Sequence, residues 1–258
     1  MHSRRTALAA VLFAAATLCA CSGHKPPQLD YDPWESMNRK VFALNENLDK
    51  YALEPPARWW NRVVPNSAQR AISRFYNNLR FPINFVNDIL QGKPRATAEE
   101  LARFEINTFM GVFGLFDVAA DWGGLPLQRE DFGQTLGVWG FSTGPFLMLP
   151  FLGPSGVRDG IGLAGDYALG LYTYFIPFPY ITIGTFVINV VNERSLNLEL
   201  IANAREASLD FYTFQRNAYL QHRWRLINDS GTTATPEEQN ELYNDQLYEN
   251  YLEQGDTP

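Results

Sequence analysis

Apolar side chains at Trp34, Met37, Val41, Leu44, Leu48 and Tyr51 follow a 3-4-3-4-3 spacing, the period of one face of an α-helix. Arg39, Lys40, Asn45, Glu46, Asn47 and Asp49 make up the other face, so the segment is strongly amphipathic. Helix starts are legible from capping chemistry. Asp32-Pro33-Trp34-Glu35 sets an acceptor at the N-cap, proline at the first helical position and a carboxylate at the third; Thr97-Ala98-Glu99-Glu100 and Thr235-Pro236-Glu237-Glu238 repeat that chemistry. The helical period predicts further helices over 67–79, 83–91 and 98–110, and a long one over 196–227 in which Leu200, Ala204, Ala207, Phe211, Phe214 and Ala218 recur. No stretch alternates apolar and polar residues for long enough to build a sheet, and hairpin dipeptides between such runs are absent. The predicted fold class is mainly α, with no substantial sheet.

Two windows without charge interrupt the pattern, Phe132 to Val157 and Tyr167 to Asn192. Each exceeds the ~20 apolar residues of a membrane-spanning helix. Pro145, Pro150 and Pro154 break the first, however, and Pro177 and Pro179 break the second. Broken apolar backbone is tolerated in lipid where it packs on protein or lines a wet cavity, and short helices in the interface are another solution. Burial in the core of a soluble domain also stays open, since apolar runs usually mean core. Gly133 and Gly137, and Gly156 and Gly160 before Ala164, make small-residue steps that suit close helix approach; turn chemistry is an equal reading of the second pair.

Composition narrows the class. The 258 residues are 46% hydrophobic and 14% aromatic, enough to bury a sizeable core. The net charge of −7 resides in Glu237, Glu238, Glu241, Asp245, Glu249, Glu253 and Asp256, and the remainder sums to zero. That leaves no basic field for nucleic acid. The start, MHSRRTALAAVLFAAATLCAC, has the charged and apolar regions of an export signal. Its Leu18-Cys19-Ala20-Cys21 resembles the lipobox of bacterial lipoproteins, which implies lipid attachment at Cys21 and, without an aspartate at Ser22, the outer membrane facing the periplasm. A plain secretory signal is the alternative. Residues 1–20 are then signal, 21–31 a tether, 32–228 the folded domain and 229–258 an acidic tail.

Catalytic chemistry finds little purchase. Gly140-Phe141-Ser142-Thr143-Gly144 spells the nucleophile elbow of esterases, but Pro145 and Pro150 interrupt the helix that must follow, and the histidines of the mature chain are His24 and His222. His222 reads as a solvated surface side chain. Both cysteines lie in the signal region and no histidine cluster exists, so no metal or other cofactor is expected, nor an enzyme.

A family resemblance supplies what spacing does not. Asp32-Pro33-Trp34-Glu35 with Asn38-Arg39, Val64-Pro65, Leu90-Gln91-Gly92-Lys93-Pro94, Arg103-Phe104 with Asn107-Thr108, Gly114 to Ala119, Glu130 to Gly137, and Gly144-Pro145 through Leu149-Pro150 and Gly153-Pro154 to Arg158-Asp159 resemble the VacJ/MlaA lipoproteins in order and spacing. Ser208-Leu209-Asp210, Tyr212, Arg216 and Ala218-Tyr219 extend the likeness to about residue 225. The resemblance implies a ring-like bundle of amphipathic and interfacial helices around a central channel, seated in the periplasmic leaflet. It implies a protein that takes mislocalised phospholipid from the outer leaflet and passes it to a periplasmic carrier similar to MlaC, often beside trimeric porins. A structural envelope scaffold associated with porins, without lipid movement, is the alternative. On the lipid-transport reading Phe146, Leu147, Leu149, Phe151 and Leu152 form a membrane-facing or lipid-passage wall, and Arg158 and Asp159 line a polar channel or cap the following helix.

Overall fold

The computed structural model describes Leu29, residues 31–170 and residues 179–228, with the side chains of 179–183 excepted. The export signal with Cys21, nearly all of the tether, the acidic tail and the helix expected at Thr235 lie outside the described residues.

Helix α1 spans Glu35–Leu48 and runs without a break through a π-helical turn, Asp49–Leu53, into α2, Glu54–Val63. The π-turn has a local cause. Pro55 and Pro56 have no N–H to donate, so the hydrogen-bond ladder is interrupted; the Glu54 N–H bonds the Asp49 carbonyl five residues back and a new ladder starts behind the prolines. The expected capping at Asp32 takes a different form. A turn at Pro33 and Trp34 intervenes, and the Asp32 carboxylate accepts from the Trp34 N–H at 3.2 Å and from Asn38 Nδ2 at 3.0 Å.

Helix α3 (Asn66–Leu79) and α4 (Phe81–Leu90) match the helical period, with Pro82 in the first turn of α4. Gly92 ends α4 with φ +72°, and the Gly92 and Lys93 N–H groups bond the carbonyls of Ile89 and Asp88, the paired closure that favours glycine. Helix α5 starts at Pro94 and reaches Phe109. The expected Thr97 cap is therefore inside the helix: its hydroxyl donates back to the Lys93 carbonyl at 2.8 Å, and proline in the first turn sets the start. Two short helices follow, α6 (Val118–Gly123) and α7 (Phe132–Val138), capped by Asp117 and Asp131.

The proline-broken window forms an antiparallel hairpin, β1 (Phe146–Leu149) with β2 (Gly153–Gly156), that pairs Phe146 with Gly156 and Leu149 with Gly153. It leads directly into α8 (Val157–Leu169). Helix α9 covers Pro179–Leu196, and no helix among the described residues is long and apolar enough to cross a membrane. The long helix expected over 196–227 is two, α10 (Leu198–Ala207) and α11 (Phe211–Ile227). Asp210 causes the break, because its carboxylate takes the N–H groups of Tyr212 and Thr213 and caps a new helix.

Neighbouring elements close a circuit: α1 on β1, β2 on α11, α11 on α7, α7 on α8 and α4, α4 on α5 and α3, α3 on α9, and α9 on α2, which returns through the π-turn to α1. The close approach of α7 and α8 rests on glycine. A Cβ on Gly162 would come within 2.4 Å of the Gly133 nitrogen. Gly133 and Gly137 thus serve a close helix contact, whereas Gly156 lies on β2 and Gly160 meets only the Ser155 hydroxyl, at 3.8 Å.

The hairpin is held by a helix acting as its missing strand. Asn38 donates to the Phe146 carbonyl at 3.0 Å and accepts from the Met148 N–H at 2.9 Å; two turns on, Asn45 does the same for Leu149 and Phe151, both at 2.9 Å. Seven residues apart on one helix face, the two amides satisfy the free edge of β1. Asn38→Ala is expected to destabilise the protein by about 2 to 4 kcal/mol, because buried groups of β1 lose their partners, and Asn45→Ala by about 1 kcal/mol at its more exposed site. Denaturant unfolding in detergent, followed by far-UV circular dichroism, checks both values and their order.

Candidate functional site

The distribution of polarity is inverted. The apolar residues buried among those described are Ala57, Ile83, Ala119, Phe146, Met148, Tyr212, Leu220 and Ile227, and buried polar or charged residues outnumber them by more than two to one. The outside carries Trp59, Phe109, Met110, Phe113, Trp122, Phe151, Ile161, Tyr167 and many similar side chains. Helix α1 shows the inversion within one element. Met37 and Leu44 of its apolar stripe are exposed, as are Trp34 and Tyr51 beyond its ends, while Asn38 is fully buried. In water such an exterior is costly and rare; a bilayer makes it favourable.

Buried polar side chains bridge several junctions of the circuit. Where α7, α8 and α11 meet, Arg223 bridges two carboxylates, at 2.5 and 2.9 Å to Asp131 and at 2.9 and 3.1 Å to Asp159. Arg158 bonds Asp159 at 2.7 Å and the Tyr219 hydroxyl donates to it at 2.5 Å. Burial pushes the Asp131 carboxyl up, but the bonds from Arg223 and Gln134 outweigh it and hold the group at about 2. Burial and the Asp159 charge together push the Tyr219 phenol up, so it stays a donor.

Next to it, Thr135 donates to Asn87 at 2.7 Å, and Gln91 joins Thr135 to Glu130, which also pairs with Lys93 at 2.9 Å. Asn84 links this set to Glu100 on α5 at 2.9 Å. On the far side, Asn192 of α9 receives the Trp60 indole N–H at 3.1 Å and donates to the Gln69 carbonyl at 3.0 Å, and Arg194 grips Asp49 of the π-turn at 2.7 and 2.9 Å. Tyr212 and Arg216 of α11 close on Asp32.

A second exterior feature is a strained apolar loop after α5. Val112 and Phe113 both adopt left-handed backbone, φ 54° and 57°, an arrangement that costs about 1–2 kcal/mol for each such residue. The loop is held by the Phe113 and Gly114 N–H groups on the carbonyls of Thr108 and Asn107. It presents Phe109, Met110, Val112, Phe113 and Phe116 to the outside, beside Trp122.

The residues expected to form one apolar wall are divided. Phe146 is buried, packed with Met148, Tyr212 and Leu220; Leu147 and Leu149 are half-buried; Phe151 is 80% and Leu152 62% exposed at the hairpin tip. Arg158 and Asp159 are buried in the cluster around Arg223. Ser142 is exposed in an irregular segment between α7 and β1, where its hydroxyl accepts from the Gly144 N–H at 3.2 Å; this is not a strand-to-helix elbow. His222 is exposed, as its sequence context implied. Sequence reasoning missed the amides and the partners of Arg223. A signal existed in Asn38 and Asn45, and in Asn84 and Asn87, at helical spacing on their helices.

The architecture therefore defines a class: a mainly helical protein whose outside suits acyl chains and whose interior suits charged groups. The family described as MlaA lipoprotein matches residues 30–225, and the chain belongs to it. It is 35% identical over 226 residues to the Intermembrane phospholipid transport system lipoprotein MlaA of Escherichia coli K12, with 85% of this chain and 86% of that protein covered. It is 30% identical to the protein of the same name from Haemophilus influenzae, covering 90% and 94%. It is also similar to a solved structure described by the words "structural basis for maintenance of bacterial outer membrane lipid asymmetry", with TM-score 0.68, 34% identity, and 76% of this chain and 99% of the other covered.

Two outcomes test the interior. Arg223→Ala leaves Asp131 and Asp159 buried beside one fewer cation and is expected to cost about 3–5 kcal/mol in detergent unfolding. Burial raises Asp166 to about 6, despite its bond from the Phe132 N–H at 2.9 Å. A carboxyl whose folded value lies above its unfolded one binds its proton more tightly when folded, so its contribution to stability falls as pH rises through about 4 to 6. Asp166→Asn is expected to melt above the wild type at pH 7 and to lose that advantage by pH 4.5.

Proposed function

We propose that this chain is an outer-membrane lipoprotein that takes mislocalised phospholipid from the outer leaflet and delivers it to a soluble periplasmic carrier. The observation that carries the reading is the inverted distribution, apolar outside and charged inside, on a chain of the MlaA family. A phospholipid has acyl chains that favour apolar walls and a head group that is costly to bury unpaired. A ring with apolar outer faces and a polar interior offers both, side by side, across the half-thickness of a bilayer. Cys21 anchors the chain to the periplasmic leaflet; Phe151, Leu152 and the 109–116 loop dip among acyl chains. Phe146, Leu147 and Leu149 back the passage from within the hairpin, and Arg158 and Asp159 hold the polar side of its wall. No nucleotide or metal drives the step in this reading: net direction comes from the carrier's affinity for lipid. Trimeric porins are neighbours of the ring in the membrane.

Deletion of the gene is expected to raise phospholipid in the outer leaflet, measured with an enzyme that acts only at the cell surface, and re-expression is expected to restore the low level. Unchanged outer-leaflet phospholipid after deletion contradicts transport and favours the scaffold. Cys21→Ser is expected to abolish palmitate labelling, whereas Cys19→Ser leaves it intact.

A further inference from the structure

A cavity lies where α3, α4 and α5 meet the cap of α6, and Arg74, Phe81, Glu100, Arg103, Phe104 and Asp117 are among the residues that line it. Its volume, about 20 Å³, has room for a group the size of a water molecule or an ammonium. Glu100 is 7% exposed, yet only one of its oxygens is bonded. Oε1 accepts from Asn84 Nδ2 at 2.9 Å, whereas Oε2 receives no hydrogen bond among the described residues and has Arg103 Nε at 4.0 Å. The Arg103 guanidinium is engaged elsewhere, on Asp117 at 3.1 and 3.2 Å and on the Leu125 carbonyl.

Burial pushes the Glu100 carboxyl up, and the charges of Asp117 and Glu130 act the same way against the bond from Asn84 and the charge of Arg103. Lys93 is already paired with Glu130, at 2.9 Å. A buried carboxylate with an unbonded oxygen is costly to keep charged, and a cation that donates a hydrogen bond to it offsets that cost. The stacked rings of Phe81 and Phe104, with centroids 4.1 Å apart, line the same cavity and supply aromatic surface of the kind that attracts cations. Arg74 of α3 also lines it, is half-buried and makes no ion pair among the described residues. A guanidinium so placed suits a phosphate. One cavity with an acceptor for a cation and a donor for an anion calls for a zwitterion.

We propose that Glu100 receives the primary ammonium of an ethanolamine head group, with Arg74 on its phosphate, so that the chain selects phosphatidylethanolamine among the lipids it carries. The assignment rests on the transport reading and adds to it a head-group preference. The trimethylammonium of choline is larger than the cavity and has no N–H to donate, and a glycerol head group carries no cation. Glu105, exposed on the same helix, serves as the control.

The test uses the full lipoprotein purified in dodecyl maltoside, with affinity read by isothermal titration. The probes are the dihexanoyl forms of phosphatidylethanolamine, phosphatidylcholine and phosphatidylglycerol, and free phosphoethanolamine. The wild type is expected to bind the ethanolamine lipid at least about fivefold more tightly than any other probe. E100Q keeps the acceptor for Asn84 and loses the charge, and it is expected to bind the three lipids alike, with E105Q unchanged from the wild type. A folded E100Q that still prefers the ethanolamine lipid overturns the assignment. R74Q is expected to bind that lipid about threefold more weakly. Should E100Q fail to fold, the wild type and R74Q decide: equal binding of the three lipids by the wild type, or wild-type affinity in R74Q, overturns the assignment. Free phosphoethanolamine binding as tightly as the lipid makes the cavity a site for a soluble amine and also overturns it. A wild type that binds no probe overturns it too, while outer-leaflet phospholipid in the deletion strain decides the transport reading separately.

Discussion

Arg223 holds Asp131 and Asp159 in one grip, and the closure of the ring depends on it. Its helix, α11, is the last described element, and the two carboxylates belong to the cap of α7 and the first turn of α8. A single guanidinium thus joins segments 92 and 64 residues apart. The desolvation of these charges is offset because every carboxylate oxygen is shared among Arg158, Arg223, Tyr219 and Gln134. With such junctions, the circuit coheres largely through directed bonds; the buried apolar cluster among the described residues is Phe146, Met148, Tyr212 and Leu220.

That economy frees the apolar side chains for the exterior. In water, association of helices is driven by burying apolar stripes; where lipid covers the stripes, polar contacts and close packing of small residues carry the contact. Both devices are present, the first at the Asn192, Gln69 and Trp60 junction, the second where Gly133 meets Gly162. The circuit closes without a membrane-crossing helix among the described residues.

The helices were largely legible because their physics is local. The stripe of α1, the period of α3 and the apolar run of α4 each follow from the order of a few side chains. What escaped was set by distant partners. Asp210 broke an apparently continuous period because one carboxylate captured two amides; Phe146 to Gly156 made a hairpin because Asn38 and Asn45, more than a hundred residues earlier, complete its edge. The candidate wall mixed buried Phe146 with exposed Phe151 because the turn between the strands reverses the chain, a geometry that apolar content does not encode. Helical amphipathicity marks two faces but not the surroundings that each meets: Met37 and Leu44 of the α1 stripe are exposed while Val41 of the same stripe packs on the core and Asn38 is buried.

The central claim is therefore about facing: lipid outside, water and head groups within. It is tested most directly by spin labels placed singly at Phe109, Phe151 and Ile161 on the outside and at Asn77 and Arg129 in the interior, in the lipidated protein reconstituted in a bilayer. The labels at Phe109, Phe151 and Ile161 are predicted to relax with molecular oxygen and to be shielded from a water-soluble nickel chelate, and those at Asn77 and Arg129 to show the reverse. Equal access of the nickel chelate to both sets contradicts the account.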